Sequence, residues 1–149
     1  MYSPAEVARR YVETGKSKAA LPVGRMLLLG MLAGAFIALA GGSATFAVSY
    51  GGRLAGAAVF PAGLAMVLLA GSELFTGNCL LMIPLLERQL TWGRMLRSWG
   101  VVYLANVLGA GSVAALTVAA GTFDGVYESV VATAAAKAGL PFLLSLIHI

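Results

Sequence analysis

Charge is scarce in this sequence: of 149 residues, 10 are Lys or Arg and 6 are Asp or Glu. There is one cysteine, Cys79, and one histidine, His148. A single cysteine excludes an intrachain disulfide, and with it a stapled secreted domain. So few histidines and acids give no metal-ligand cluster and no nucleophile with its base, so enzymatic chemistry has the least support and no metal or cofactor is expected. Hydrophobic residues fill the space instead, at 60% of the chain and a mean hydropathy of +0.90. A soluble domain carries about 45–50% apolar residues, and neither a soluble enzyme nor a nucleic-acid binder of this size needs such an excess.

The charges that exist are clustered. No Asp, Glu, Lys or Arg occurs from Met26 to Tyr50, from Leu54 to Ser72, or from Ser98 to Phe123. Each run approaches or exceeds the ~20 residues that a helix needs to cross ~30 Å of hydrocarbon. The first is too long for a signal-peptide core of ~7–15 residues and is read as retained in the membrane. Arg9, Arg10, Lys16, Lys18 and Arg25 precede the first run, and Arg88, Arg94 and Arg97 separate the second from the third, leaving Arg53 and Lys137 for the other side. The positive-inside rule then puts the N-terminus in the cytoplasm of a multi-pass protein of the inner or plasma membrane. The division that follows is a cytoplasmic amphipathic segment over 1–21, three spans over 22–123, and an outer segment with the incomplete start of a fourth span over 124–149.

Ser3-Pro4-Ala5-Glu6 has the pattern of a capping box with proline at the first helical position. An amphipathic helix should follow, with Val7, Tyr11 and Val12 on the membrane surface and Gly15 as its stop. Gly30, Gly34, Ala38 and Gly42, spaced by four, make a small-residue stripe for close helix packing. Gly52 and Gly56 repeat the spacing. Cys79 reads as a small buried hydrophobe, and Trp92, Trp99 and Tyr103 fit an interfacial aromatic belt.

Leu54 to Leu86 is too long for one straight crossing, and its single charge is Glu73. The interruption predicted over 71–77 reads Gly71-Ser72-Glu73-Leu74-Phe75-Thr76-Gly77-Asn78. Broken backbone inside a membrane is tolerated only within protein or beside a water-filled cavity, and a broken helix near the midplane is the usual architecture of a transport site. Glu73 needs a partner at that depth; the free amides of the second half-helix, near Thr76 to Asn78, are the local one. Its role as a structural brace and its direct participation in permeation both stay open. Thr76 is read either as an anion-facing hydroxyl at a helix N-terminus or as a plain N-cap. Phe60, Leu64, Leu74 and Phe75 surround the break, and Lys18 and Lys137 precede apolar segments on opposite sides.

The segment from Gly71 to Asn78 resembles the signature of the formate/nitrite transporter family. The likeness extends to Lys18-Ala19, to Ala33-Gly34-Ala35-Phe36, to Thr91-Trp92-Gly93, and to Asn106 with Gly109. It implies an all-α membrane protein, a homopentamer of aquaporin-like protomers in the lipid bilayer, each with two inverted three-span repeats and its own pore. On this resemblance the chain supplies the first repeat and looks truncated, with a foreign ending over 143–149. His148 then has the wrong lead-in to be the family's pore histidine. Carried over, Thr76 faces that histidine, Leu74 and Phe75 line an apolar constriction, and Phe60 and Leu64 are wall positions. Lys18 and Lys137 draw monovalent anions to the two mouths, while Gly71, Glu73, Gly77 and Asn78 shape the loop.

Formate, nitrite, hydrosulfide and lactate are not separated by the Gly77-Asn78 ending. An apolar slit penalises a bare anion far more than its neutral acid, so the expected mechanism moves anion and proton together. Two alternatives remain at this level. An aquaporin-like channel for neutral solutes would also use half-helices, although the break has no Asn-Pro-Ala pair. A non-transporting assembly subunit would need no polar loop such as Glu73 to Thr76.

Overall fold

Ser3 opens the first helix, α1 (Pro4–Ala19), with both bonds of a capping box: the Glu6 amide donates to Ser3 Oγ at 3.3 Å, and the Ser3 amide to Glu6 Oε2 at 2.7 Å. These bonds hold the Glu6 carboxyl below its ordinary value. The structure, a computed structural model, describes residues 2–141; the readings of His148 and of residues 143–149 fall outside the described residues. Gly15 does not stop α1. It is buried in the helix, where an added Cβ would lie 2.9 Å from Pro84 Cγ and 3.3 Å from Leu81 Cδ2. Its use is close approach rather than chain termination.

The next helix, α2 (Val23–Val59), contains one non-helical residue, Gly52, at φ 75° and ψ −178°. That φ is open to glycine and strained for other residues. The chain folds back there, because Gly56 packs on Ala44 and Val48 and Gly63 packs on Phe36 and Ala40. The returning arm continues into α3 (Pro61–Leu69), antiparallel to the first arm. After a gap come α4 (Phe75–Asn78), a 3₁₀ turn (Cys79–Leu81) and α5 (Met82–Leu86). The long α6 (Trp92–Ala119) follows, then a 3₁₀ turn (Asp124–Val126) and α7 (Tyr127–Ala138). Two helical stretches, Val23–Leu69 and Trp92–Ala119, are long and apolar enough to cross a membrane, and the first is doubled back at Gly52.

The first arm of α2 and α6 run parallel. At one end Arg97 donates to the carbonyls of Ala19 (2.7 Å) and Leu21 (3.2 Å); at the other, Gly42 meets the ring of Phe123. Between them the backbones touch: a Cβ on Gly34 would land inside the main chain of Asn106, and one on Gly109 inside that of Met31. Lipid and leucine are equally apolar, so such small-residue contacts supply the packing that a hydrophobic core supplies in water. The one cluster of buried hydrophobic side chains, among the described residues, joins Ala19, Leu81, Leu85, Leu90 and Met95 where α1, α5 and α6 meet.

Polarity is inverted relative to a soluble protein. Leu54 and Leu69 are 84% and 89% exposed, while Asn78 and Ser98 are fully buried. In water such a surface would aggregate; in lipid it is the stable arrangement, and the chain is an all-α membrane protein.

The backbone contact makes a sharp prediction. Gly34→Ala forces α2 from α6 and should cost about 1–3 kcal/mol, read as a lower melting temperature in detergent. Gly41→Ala, where a Cβ meets nothing within 4 Å, is the control and should be neutral or mildly stabilising. Equal melting of the two variants would refute the role given to the Gly34 contact.

Candidate functional site

The break begins with a helix end that requires glycine. Gly71 has φ 59°. Its amide donates to Leu68 O at 3.2 Å and that of Ser72 to Val67 O at 3.0 Å, the pairing of a Schellman motif. Ser72 Oγ adds a second bond to Val67 O at 3.1 Å. The chain then runs extended through Leu74 (φ −98°, ψ 133°), and helical geometry resumes at Phe75. The gap therefore covers 70–74, shorter than the 71–77 expected. Thr76 and Gly77 already belong to the second half-helix.

Helicity resumes early because α6 supplies the missing acceptor. Asn106 Oδ1 accepts from the Phe75 amide at 2.9 Å. Asn106 Nδ2 donates to Glu73 O at 2.9 Å and to Gly30 O at 2.8 Å, while the Glu73 amide donates to Leu29 O at 3.2 Å. Each of these groups would cost several kcal/mol if left bare in hydrocarbon. The sequence held a visible signal: apart from Arg94 and Arg97 near its start, α6 carries no carboxamide or charged side chain except Asn106.

Glu73 does not use the half-helix terminus, where Asn106 takes the Phe75 amide. Its carboxylate is 6% exposed and accepts from Lys18 Nζ at 2.9 and 3.0 Å. Lys18, at the last turn of α1, is 26% exposed and has its charge balanced locally by Glu73. A second tie from α1 is the Tyr11 hydroxyl, which donates to Gly77 O at 2.9 Å. Burial first, then the Glu73 carboxylate and Cys79, hold the Tyr11 hydroxyl above its ordinary pKa, so it stays a donor at neutral pH.

The second half-helix is also held from α6. Trp99 Nε1 donates to Asn78 O at 2.8 Å, and Asn78 Nδ2 to Ser98 Oγ at 3.3 Å. Asn78 Oδ1 is buried without a partner among the described residues. The Phe75 ring meets the edges of Trp99 and Tyr103 at centroid distances of 6.1 and 5.4 Å. Trp99 and Tyr103 are thus partners of the loop, a role that their reading as belt residues did not include. Cys79, expected to be buried, is exposed; the buried side of that turn belongs to Asn78.

Leu74 and Phe75 are half-buried, whereas Thr76 is exposed. Leu74, not Thr76, occupies the N-cap position, and the Thr76 hydroxyl has no hydrogen bond among the described residues. Phe60 and Leu64 are each about half exposed and lie one helical turn apart. Lys137 stands away from this cluster. It lines an apolar cavity of about 400 Å³ with Ala38, Phe46, Thr117, Phe123 and Thr133, none of which touches the loop by hydrogen bond. By the 1.5 Å rise per residue, Ala38 to Phe46 lie roughly 15–25 Å along α2 from Leu29.

Leucines turned to lipid, and a helix broken where protein side chains satisfy its backbone, define a membrane protein of the transport class. Its sequence relationships narrow that class. The family description "formate/nitrite transporter" matches residues 5–148, and the chain belongs to that family. It is 39% identical over 115 residues to an uncharacterized transporter, YrhG, of Bacillus subtilis (strain 168), covering 72% of this chain and 43% of the relative. It is 38% identical over 122 residues to a probable formate transporter of Methanothermobacter thermautotrophicus, covering 75% and 44%. Identity to the formate channel FocA of Escherichia coli (strain K12) is 30% over 114 residues, covering 72% and 40%. The matches thus span less than half the length of these relatives. No solved structure matches significantly.

Proposed function

We propose that this chain builds one half of a transmembrane path for formate and similar small monovalent weak-acid anions, moving with a proton. The observation that carries the reading is the Thr76 hydroxyl, exposed on the first turn after a break whose Glu73 and Phe75 backbone groups are bonded to α2 and α6. Phe60 and Leu64 supply an uncovered apolar wall, and the pore closes when a second three-span unit of the kind found in the family covers it. The chain crosses three times from a cytoplasmic N-terminus, which follows the eight basic residues at the α1 end. Lys18 is neutralised by its pairing with Glu73, whereas the distant Lys137 places a positive charge towards the opposite mouth, which raises the local anion concentration there. A slit walled by leucine and phenylalanine then favours the neutral acid. Five-fold assembly belongs to the same reading through family membership, as does a non-enzymatic role.

Proteoliposomes test it directly. The chain, joined in frame to the part of the Methanothermobacter relative beyond the match, should take up labelled formate and acidify the lumen together. The chain by itself should show no flux above empty vesicles. A joined protein that assembles normally yet carries no formate would end the proposal; glycerol flux in its place would favour a neutral-solute channel.

A further inference from the structure

Asn106 bonds to the two peptide units that flank a single residue. Its Nδ2 reaches the carbonyl of Glu73 and its Oδ1 the amide of Phe75, at 2.9 Å each, and Leu74 lies between them in an extended conformation. A carbonyl before a residue and an amide after it, both pointing to one side, are the groups a strand offers to a parallel neighbour. The carboxamide fills that neighbour's place with one planar group carrying donor and acceptor side by side. Its second N–H goes to Gly30 O at 2.8 Å, so the same group anchors the loop to α2. Leucine would match the volume and none of the bonds. Glutamine would carry the same group displaced by one C–C bond, about 1.5 Å.

From this geometry we infer that Asn106 is the positioning residue of the loop: it fixes the backbone of Leu74 against α2 and α6, and thereby the direction in which Leu74, Phe75 and Thr76 are presented. The consequence for selectivity rests on the conduction reading above; the positioning itself does not. Sterics alone do not explain the site, because the neighbouring contacts of Gly34 and Gly109 already set the spacing of α2 and α6 without the side chain of Asn106.

Hydrogen–deuterium exchange on the 149-residue chain in lipid nanodiscs decides the positioning. Asn106→Leu should speed exchange of the Phe75 amide by about tenfold or more, with the amides of α2 and α6 near Gly34 and Gly109 still protected. Asn106→Gln should fall between leucine and wild type. Unchanged exchange at Phe75, or an equal rise throughout α2 and α6, overturns the inference. In the joined transporter, Asn106→Leu should lower the ratio of formate to acetate uptake by roughly threefold or more, at equal assembly. An unchanged ratio removes the consequence for selectivity. If the wild-type joined protein carries no formate, the conduction reading fails, and the exchange result still settles what holds the loop.

Discussion

Lys18→Met is expected to destabilise the protein by about 3–5 kcal/mol, the usual effect of removing one partner of a buried ion pair. The carboxylate left behind is only 6% exposed, and no other side chain among the described residues donates to it. Glu73→Gln should cost much less. Lys18 keeps about a quarter of its side chain exposed, so its ammonium can turn towards water on its flexible stem. The double variant, Lys18→Met with Glu73→Gln, should recover most of the loss, because no charge then remains buried. Thermal melting of the four proteins in one detergent checks the order. If Lys18→Met melted like wild type, or if the double variant were no better than Lys18→Met, the pair would not be what secures α1 to the loop.

Thr76→Val is expected to act on flux and leave folding alone. Leu74 holds the N-cap position and Asn106 takes the first free amide, so valine disturbs neither. The hydroxyl has no hydrogen bond among the described residues and, on the conduction reading, is available to a group across the pore or to the passing acid. Losing a hydrogen bond that leaves a buried partner unmet costs ~1–3 kcal/mol. At that point of the path, the loss slows formate uptake roughly tenfold to a hundredfold. Thr76→Ser should keep most of the flux. A parallel fall in melting temperature would return Thr76 to a helix-capping role, and wild-type uptake by Thr76→Val would take the residue out of the mechanism.

The membrane class was legible because it depends on composition and run length alone. Three charge-free runs and an excess of apolar residues leave no soluble solution, and a lone acid between two glycines marks where the second long apolar stretch must break. The family resemblance also singled out Lys18, Glu73, Leu74, Phe75 and Thr76, and the structure pairs the first two of them. Pairings were harder to read. The half-helix terminus was the nearest partner for Glu73 along the chain, yet the partner is Lys18, 55 residues earlier in sequence. Gly15 looked like a stop and is a contact for Pro84; Trp99 looked like an interfacial anchor and is a donor to Asn78 O.

These differences share one cause. The sequence by itself determined what the chain must avoid, namely water on its leucines and charge in its spans, since those are properties of single residues and short windows; that Gly52 serves a positive φ and not the close packing its spacing suggested is a finding of the fold. Tertiary structure alone decided which buried polar group meets which. Hydrogen bonds and ion pairs depend on distances of a few ångströms and on direction, and helices far apart in sequence set both. Asn106 illustrates the division. A carboxamide in an apolar helix needs partners, and only the packing of α6 on α2 and the broken helix made those partners Gly30, Glu73 and Phe75.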